Sequence, residues 1–413
     1  MRATVMSTGE EVLRGEVTDR NAAFLSRRLS DHGYEVHRHV TVGDGAEALR
    51  TELRRAAAES DLVVMTGGLG PTEDDRAREA VAEVAGAELV EHEELREALR
   101  RRVGEDALEA NLRQARVPRG ARLFPNPSGT ARGFACSADG CLVAALPGVP
   151  GEMRRMFEDH VLPFLLDERP PQRVVASRRV NLFGVPESEV NERLSDLAGP
   201  DRNPRIGLTA DRATIRVGIE AEAETPEEAD RLADEDVGEV RRRFGELVVG
   251  EDETGLPEAV KRLLCGAGYG FCAAESCTGG LIGDMMTDVP GVSECLLEDV
   301  VAYSNEAKIG RLDVPRELIV EHGAVSPEVA RAMAEGACEV GGGEVGVSTT
   351  GIAGPTGGTP TKPVGLVYLG VCAPGGAGVK QLHIDGPRRK VKVWAAKHAL
   401  NEARLALLRE GRG

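Results

Sequence analysis

Over the first 165 residues, short apolar runs alternate with longer segments that carry apolar side chains on one helical face. RATVMS reads as a strand, NAAFLSRRLSDHG as a helix closed by a glycine, and YEVHRHVTVG as a second strand. GAEALRTELRRAAAES predicts a further helix, DLVVMTGG a buried strand, and a helix follows from about Glu73. Strands joined by crossover helices make a mostly parallel sheet covered on both faces.

The texture changes at residues 166–250. VVASRRVNLFGV, PESEVNERLSDLAG, ATIRVGIEAEAE, PEEADRLADEDVGEVRRRFG and ELVVG predict a small β-α-β-α-β unit, entered at ERPPQR and left at GEDETG. Residues 251–413 alternate again. LPEAVKRLLCGAG, a segment from Thr278, VSPEVARAMAEGACEV and RKVKVWAAKHALNEARLALLRE are helical; YGFCAAE, LLEDVVAYS, EVGVSTTG and PVGLVYLGVC are strands. The pattern therefore predicts an α/β chain of three domains, 1–165, 166–250 and 251–413.

Composition narrows the function classes. With 41% hydrophobic and 29% charged residues the chain is ordinary for a globular protein, but aromatics at 3% leave its cores to Val, Leu, Ala and Met. The formal charge of −17 opposes attraction to nucleic acid or anionic membrane. With no long apolar run near the start, a cytoplasmic protein is expected. The eight cysteines form no CxxC pair, which suits reduced thiols better than disulfides or a metal site. The RRR at 241–243 reads as a solvated helix face.

Two strand ends carry candidate chemistry. In the first block Thr66-Gly67-Gly68-Leu69-Gly70-Pro71-Thr72-Glu73-Asp74-Asp75 joins a buried strand to a helix. Glycines there let a phosphate approach backbone N–H groups, and paired carboxylates can hold a divalent cation against it. The competing reading makes Asp74 and Asp75 helix caps. The strand end Ser7-Thr8-Gly9-Glu10-Glu11 and the loops PNPSGTARGF and LPGVPGEM can wall the same cleft.

In the third block AAESCTGGL places Ser276 between a strand and a helix. Amides of the Thr278-Gly279-Gly280 turn can receive an oxyanion or a phosphate. A serine needs a base, and no histidine of this block sits in a strand-end motif, which leaves Lys308 of AYSNEAK as the candidate. The loop TTGIAGPTGGTPTKPVG, with Gly351 and Gly354, suits a nucleotide, and Arg388 of DGPRR suits a phosphate. Ser276 as a helix cap and Lys308 as a surface charge are the plainer alternatives.

TGEEVLRG, DRNAAFLSRRL, TGGLGPTEDD, PNPSGTARG and LPGVPGEM together resemble the N-terminal, molybdopterin-binding-like domain of the CinA (competence/damage-inducible protein A) family. ESCTGG, AYSNEAK, HGAVS and GIAGPTGGTPTKPVG resemble its C-terminal domain, and the middle block is similar to its KH-like insert. The first likeness implies divalent-metal-dependent hydrolysis of ADP-ribose to AMP and ribose 5-phosphate. Gly67, Gly68, Gly70, Asn21 and Ser128 would then hold substrate, and Asp74, Asp75, Glu10 and Glu152 metal. The second implies deamidation of nicotinamide mononucleotide (NMN) without a cofactor, with Ser276 as nucleophile or positioning hydroxyl and Lys308 as base. Tyr303 and Thr350 would contact the ring and amide, and Arg388 would anchor the substrate. Glu73 stands where the family often has lysine, and Pro387 where it has aspartate. A homodimer acting on small nucleotides is expected. The other function classes are a non-catalytic molybdopterin- or nucleotide-binding module and a competence or DNA-damage accessory.

Overall fold

A computed structural model describes residues 1–199 and 201–411. It resolves into two compact bodies: residues 1–176 with 221–231, and residues 177–220 with those from 232 onward.

The first body is built on a six-stranded sheet. Strand Arg2–Thr8 lies between Glu35–Val42 and Leu62–Thr66, and Leu62–Thr66 pairs with Cys141–Leu146, all parallel. Gly133–Ala138 and Arg122–Phe124 then add antiparallel strands at one edge. Alternation sends Val63 and Met65 to a cluster with Leu49, Leu53 and Val81, while Leu62 and Val64 join Leu25, Leu29 and Phe157 on the opposite face. Helix Arg20–Asp31 starts where Asp19 accepts a hydrogen bond from the Ala22 amide at 2.8 Å, and it buries Ala22, Leu25 and Leu29. Full burial of such a leucine is worth about 1.5–3 kcal/mol.

A four-stranded sheet follows, ordered Arg205–Asp211, Thr214–Ala223, Val174–Phe183, Val248–Glu251. Arg205–Asp211 is a strand that the sequence pattern does not predict, since only its alternate residues are even half-buried. The arginines at 241–243 are all paired, with Glu251, Glu239 and Asp196 respectively.

The last sheet has five strands. Phe271–Glu275 lies between Leu296–Val301 and Val345–Gly351, both parallel to it. Leu366–Ala373 and Gly376–His383 extend it antiparallel. Phe271 and Ala273 pack with helices Leu256–Ala267 and Arg388–Glu410, whereas Cys272 and Ala274 pack with Leu312, Val329 and Met333. All eight thiols are free. Among the described residues no helix is long and apolar enough to cross a membrane. The fold is α/β, as the pattern predicts, but both α/β sheets are mixed because their final strands return as hairpins.

Candidate functional site

In the first body the carboxyl ends of the parallel strands open into a cleft of about 410 Å3. Its floor is the loop after Leu62–Thr66. Gly67 and Gly68 adopt φ of +100° and +66°, and a Cβ on Gly67 would strike the Thr8 carbonyl, so both positions require glycine. Beneath the loop Arg78 is 2% exposed and donates to the Leu69 and Gly70 carbonyls. Burial pulls its guanidinium down to about 10, against the raising charges of Glu79 and Asp75.

Asp74 and Asp75 both line the cleft. Neither caps the helix that follows: it begins only at Ala77, about four residues later than the sequence suggests, and its N-cap is Arg76. Asp75 Oδ2 instead accepts from the Thr72 amide at 2.9 Å and hydroxyl at 2.5 Å, folding 72–75 into a turn. Glu152 lines the cleft too, held by the Asn126 amide at 2.7 Å.

Three sequence candidates stand elsewhere. Glu10 pairs with Arg14 at 3.1 Å, and it is Glu11 and Asp44 that line the cleft. Asn21 braces the wall, donating to Gly148 O at 2.7 Å and Thr66 Oγ1 at 3.2 Å. Ser128 is exposed and contributes its amide to Asn126 Oδ1 at 3.1 Å. Glu73 faces a separate groove with Arg50, Arg76 and Arg113. Thr130, from the PNPSGTARG loop, and Gln114, which no motif marks, complete the wall.

In the second body Ser276 follows strand Phe271–Glu275, its amide donating to Thr349 O at 3.0 Å. Lys308, from helix Asn305–Leu312, is 1% exposed, and its Nζ lies 3.0 Å from Ser276 Oγ, 2.8 Å from Ala302 O and 3.3 Å from Tyr303 O. Burial lowers the lysine pKa. No histidine hydrogen-bonds Ser276 among the described residues. Burial pushes the neighbouring Cys277 thiol up to about 12, so it stays protonated.

Ser276 is not a helix cap. The next helix starts at Leu281, later than Thr278, and the buried Glu275 carboxylate accepts from the amides of Gly280, Leu281, Ile282 and Gly283 at 2.6–3.1 Å. That carboxylate occupies the positive end of the helix, so the Gly280 amide is spent within the protein rather than offered to a substrate. Gly279 and Gly280, at φ +62° and +89°, bend this turn, and Lys392 Nζ stands 3.5 Å from where a Gly279 Cβ would be. The Thr278 hydroxyl is buried against Thr349 Oγ1 at 2.6 Å. Thr350 sits one residue on, its hydroxyl donated to Ala324 O at 2.6 Å. Arg388 donates to Gly354 O at 2.8 Å and Tyr303 Oη at 3.1 Å, drawing the glycine-rich loop, the tyrosine and the last helix together. Gly351 closes against strand Leu366–Ala373.

Behind the turn a second carboxyl, the half-buried Asp299, lies beside Gly283. Burial first, then the charge and hydrogen bond of Glu275, push it up to about 8.

Three family models match the chain: a probable molybdopterin binding domain over residues 4–167, the damage-inducible protein CinA KH domain over 177–250, and the CinA C-terminal domain over 253–407. A CinA-like protein of Dictyoglomus thermophilum is 42% identical over 412 residues, covering 99% of this chain and all of that one. A putative competence-damage inducible protein of Symbiobacterium thermophilum is 43% identical over 432 residues, covering 99% of each. Among solved structures, a CinA protein of Thermoplasma acidophilum shares 37% identity, covering 39% of this chain and 96% of its own, with a TM-score of 0.38.

Proposed function

The chain belongs to the CinA family, and from its Ser276–Lys308 pair we propose that it hydrolyses the carboxamide of a nicotinamide nucleotide, NMN, to the acid and ammonia. A neutral lysine has two N–H donors and one lone pair. The contacts of Lys308 match that count: two carbonyl acceptors and one hydroxyl. With the carbonyls of Ala302 and Tyr303 taking the hydrogens, the lone pair is left to accept the Ser276 proton. Oγ then attacks the amide carbon, and the turn amides preceding Gly280 receive the oxyanion. Lys308 returns the proton to the departing ammonia, and a water deprotonated by the same amine hydrolyses the ester. Arg388 and Lys392 supply positive charge for the nucleotide phosphate.

For the first domain we propose hydrolysis of the pyrophosphate of ADP-ribose, supported by the glycine loop and the carboxylates of the cleft. The donor set is all oxygen, which suits a hard divalent cation such as magnesium or manganese. No three His, Cys, Asp or Glu side chains among the described residues are grouped to hold an ion by themselves. The set therefore suits a cation that arrives with phosphate and takes one or two carboxylates, for which Asp75 and Asp44, both lining the cleft, are our candidates. Such an ion would neutralise charge developing on the phosphates. The chain's own part is to bind phosphate oxygens at Gly67–Gly70.

The deciding experiment is product analysis of the purified full chain with NMN alone, and with ADP-ribose and a metal panel. Ammonia release from NMN that disappears in Ser276→Ala is the expected result; unchanged release in that variant refutes the serine mechanism.

A further inference from the structure

Glu275 and Asp299 stand on one face of the five-stranded sheet, because the register of two adjacent parallel strands pairs Ala273 with Asp299 and Glu275 with Val301. Both meet Gly283 of helix Leu281–Thr287: its amide donates to Glu275 Oε1 at 3.1 Å, and a Cβ on it would strike Asp299 Oδ2. The Asp299 side chain also hydrogen-bonds Glu275. Two carboxylates have no donor between them, so that bond exists only when one of them is protonated. Four amides at the helix start donate to the two oxygens of Glu275, which leaves the proton to Asp299. Asp299 Oδ1 is shielded from water and no N–H or O–H donor reaches it, so this is the oxygen that carries the proton. Glu275 is the charged group that faces it, and no cation pairs with it among the described residues. Asp284 and Glu294, on the helix and the turn beside the strand, are exposed, and Lys392 of the last helix reaches Gly279 instead.

We propose that Asp299 is a positioning residue for the Ser276 site: as the neutral acid it holds the Glu275 carboxylate on its four amides, and as the anion it repels that carboxylate and loosens the turn that carries Ser276. The chain leaves Glu275 through Ser276, Cys277, Thr278 and Gly279 and returns to the Glu275 carboxylate at the Gly280 amide. Ser276 therefore sits in a ring that this carboxylate closes, and the 3.0 Å contact of its Oγ with Lys308 depends on the ring keeping its shape. A second negative charge on the same face, on the next strand, weakens the closure. Asp299 touches neither Ser276 nor the substrate, so its ionisation lowers kcat and leaves KM little changed.

The role in turnover rests on the deamidase reading, and the test separates the two. Burial and the Glu275 charge hold Asp299 at about 8, so it ionises between pH 7 and pH 9. In the full-length protein kcat for NMN is measured across that range for wild type and Asp299→Asn, which keeps a donor and cannot ionise. Taking the ratio of the two cancels the titration of Lys308. That ratio is expected to fall about 10-fold from pH 7 to pH 9, and a constant ratio overturns the proposal. Amide hydrogen exchange of the 276–284 segment is followed in both proteins at each pH, where wild type is expected to lose protection relative to the variant at pH 9. Equal protection at both pH values overturns the proposal whatever the kinetics show. A loss of protection with no NMN hydrolysis by either protein keeps the hold of Asp299 on the turn and removes the deamidase reading.

Discussion

Lys308 Nζ lies 3.0 Å from Ser276 Oγ inside a site where neither side chain is more than 9% exposed. The amine has no carboxylate partner there; its other contacts are two backbone carbonyls. Such a lysine costs folding energy when charged and becomes a base when neutral.

The pair acts as a unit, so Ser276→Ala and Lys308→Met should each reduce kcat for NMN by about 10²–10⁴-fold, with the double variant little worse. Wild-type kcat should rise with pH through the lowered lysine pKa, and that limb should vanish in Lys308→Met. A folded Lys308→Met enzyme with near wild-type kcat would return the lysine to a structural role.

Stability should move the other way. Between the lowered folded pKa of Lys308 and the ordinary value of 10.5, the unfolded chain holds a proton that the folded chain does not. Stability from this group therefore rises with pH across that window and is lowest below it. Lys308→Met removes the penalty, so its melting temperature at pH 7 should equal or exceed that of wild type. A clear drop would show that the three contacts of the amine stabilise more than its burial costs.

Asp299 titrates in the opposite sense. Its folded pKa is about 8 against an ordinary value of 3.8, so the folded chain keeps a proton that the unfolded chain loses between those values. Stability from this group falls as pH rises through that window. Asp299→Asn should raise the melting temperature at pH 8 and leave it nearly unchanged near pH 4. An equal shift at both pH values would mean the carboxyl is not charged on unfolding alone.

Glu275 accepts four amides at the start of helix Leu281–Thr287. Glu275→Ala leaves those donors buried or poorly hydrated, each at about 1–3 kcal/mol. A loss of at least ~3 kcal/mol in denaturant unfolding is expected, with Glu275→Gln in between because it keeps one acceptor oxygen.

In the first domain Asp75→Asn should remove most metal-dependent cleavage of ADP-ribose while NMN deamidation persists. Glu10→Gln should change neither, because Glu10 pairs with Arg14 outside the cleft. Loss of cleavage in Glu10→Gln with Asp75→Asn active would invert the assignment.

A fragment of residues 251–413 should deamidate NMN but melt below one of residues 177–413. Arg404, 4% exposed, donates to Val248 O at 3.3 Å and also to Glu246 O, and His398 packs on Phe183 at 4.8 Å between centroids. Cutting at 251 orphans that guanidinium. Equal melting temperatures would show that the contacts add nothing.

Much of this protein is written locally. The unbroken apolar runs in DLVVMT and FCAAE set two strands buried on both faces, because side chains of an extended chain point alternately to each. Asp19 and Ser326 cap the helices they precede because each hydroxyl or carboxylate reaches an amide three residues on. The glycine turns at 67–68 and 279–280 are likewise visible as residues that tolerate positive φ. What the tertiary structure decided is which side chains meet across the ends of those strands. Two adjacent glutamates, 10 and 11, are equivalent in the sequence, and only the orientation of a one-turn helix sends the second to the cleft. Glu275 reads as part of a strand, yet its carboxylate turns back to the amides that a substrate was expected to use. Gln114 lies in no motif and becomes the shared wall of two pockets because the 112–115 turn packs under the Leu69 loop. Spacing along the chain determines direction within one element; beyond a loop, direction depends on packing between elements far apart in sequence, and no local pattern records it.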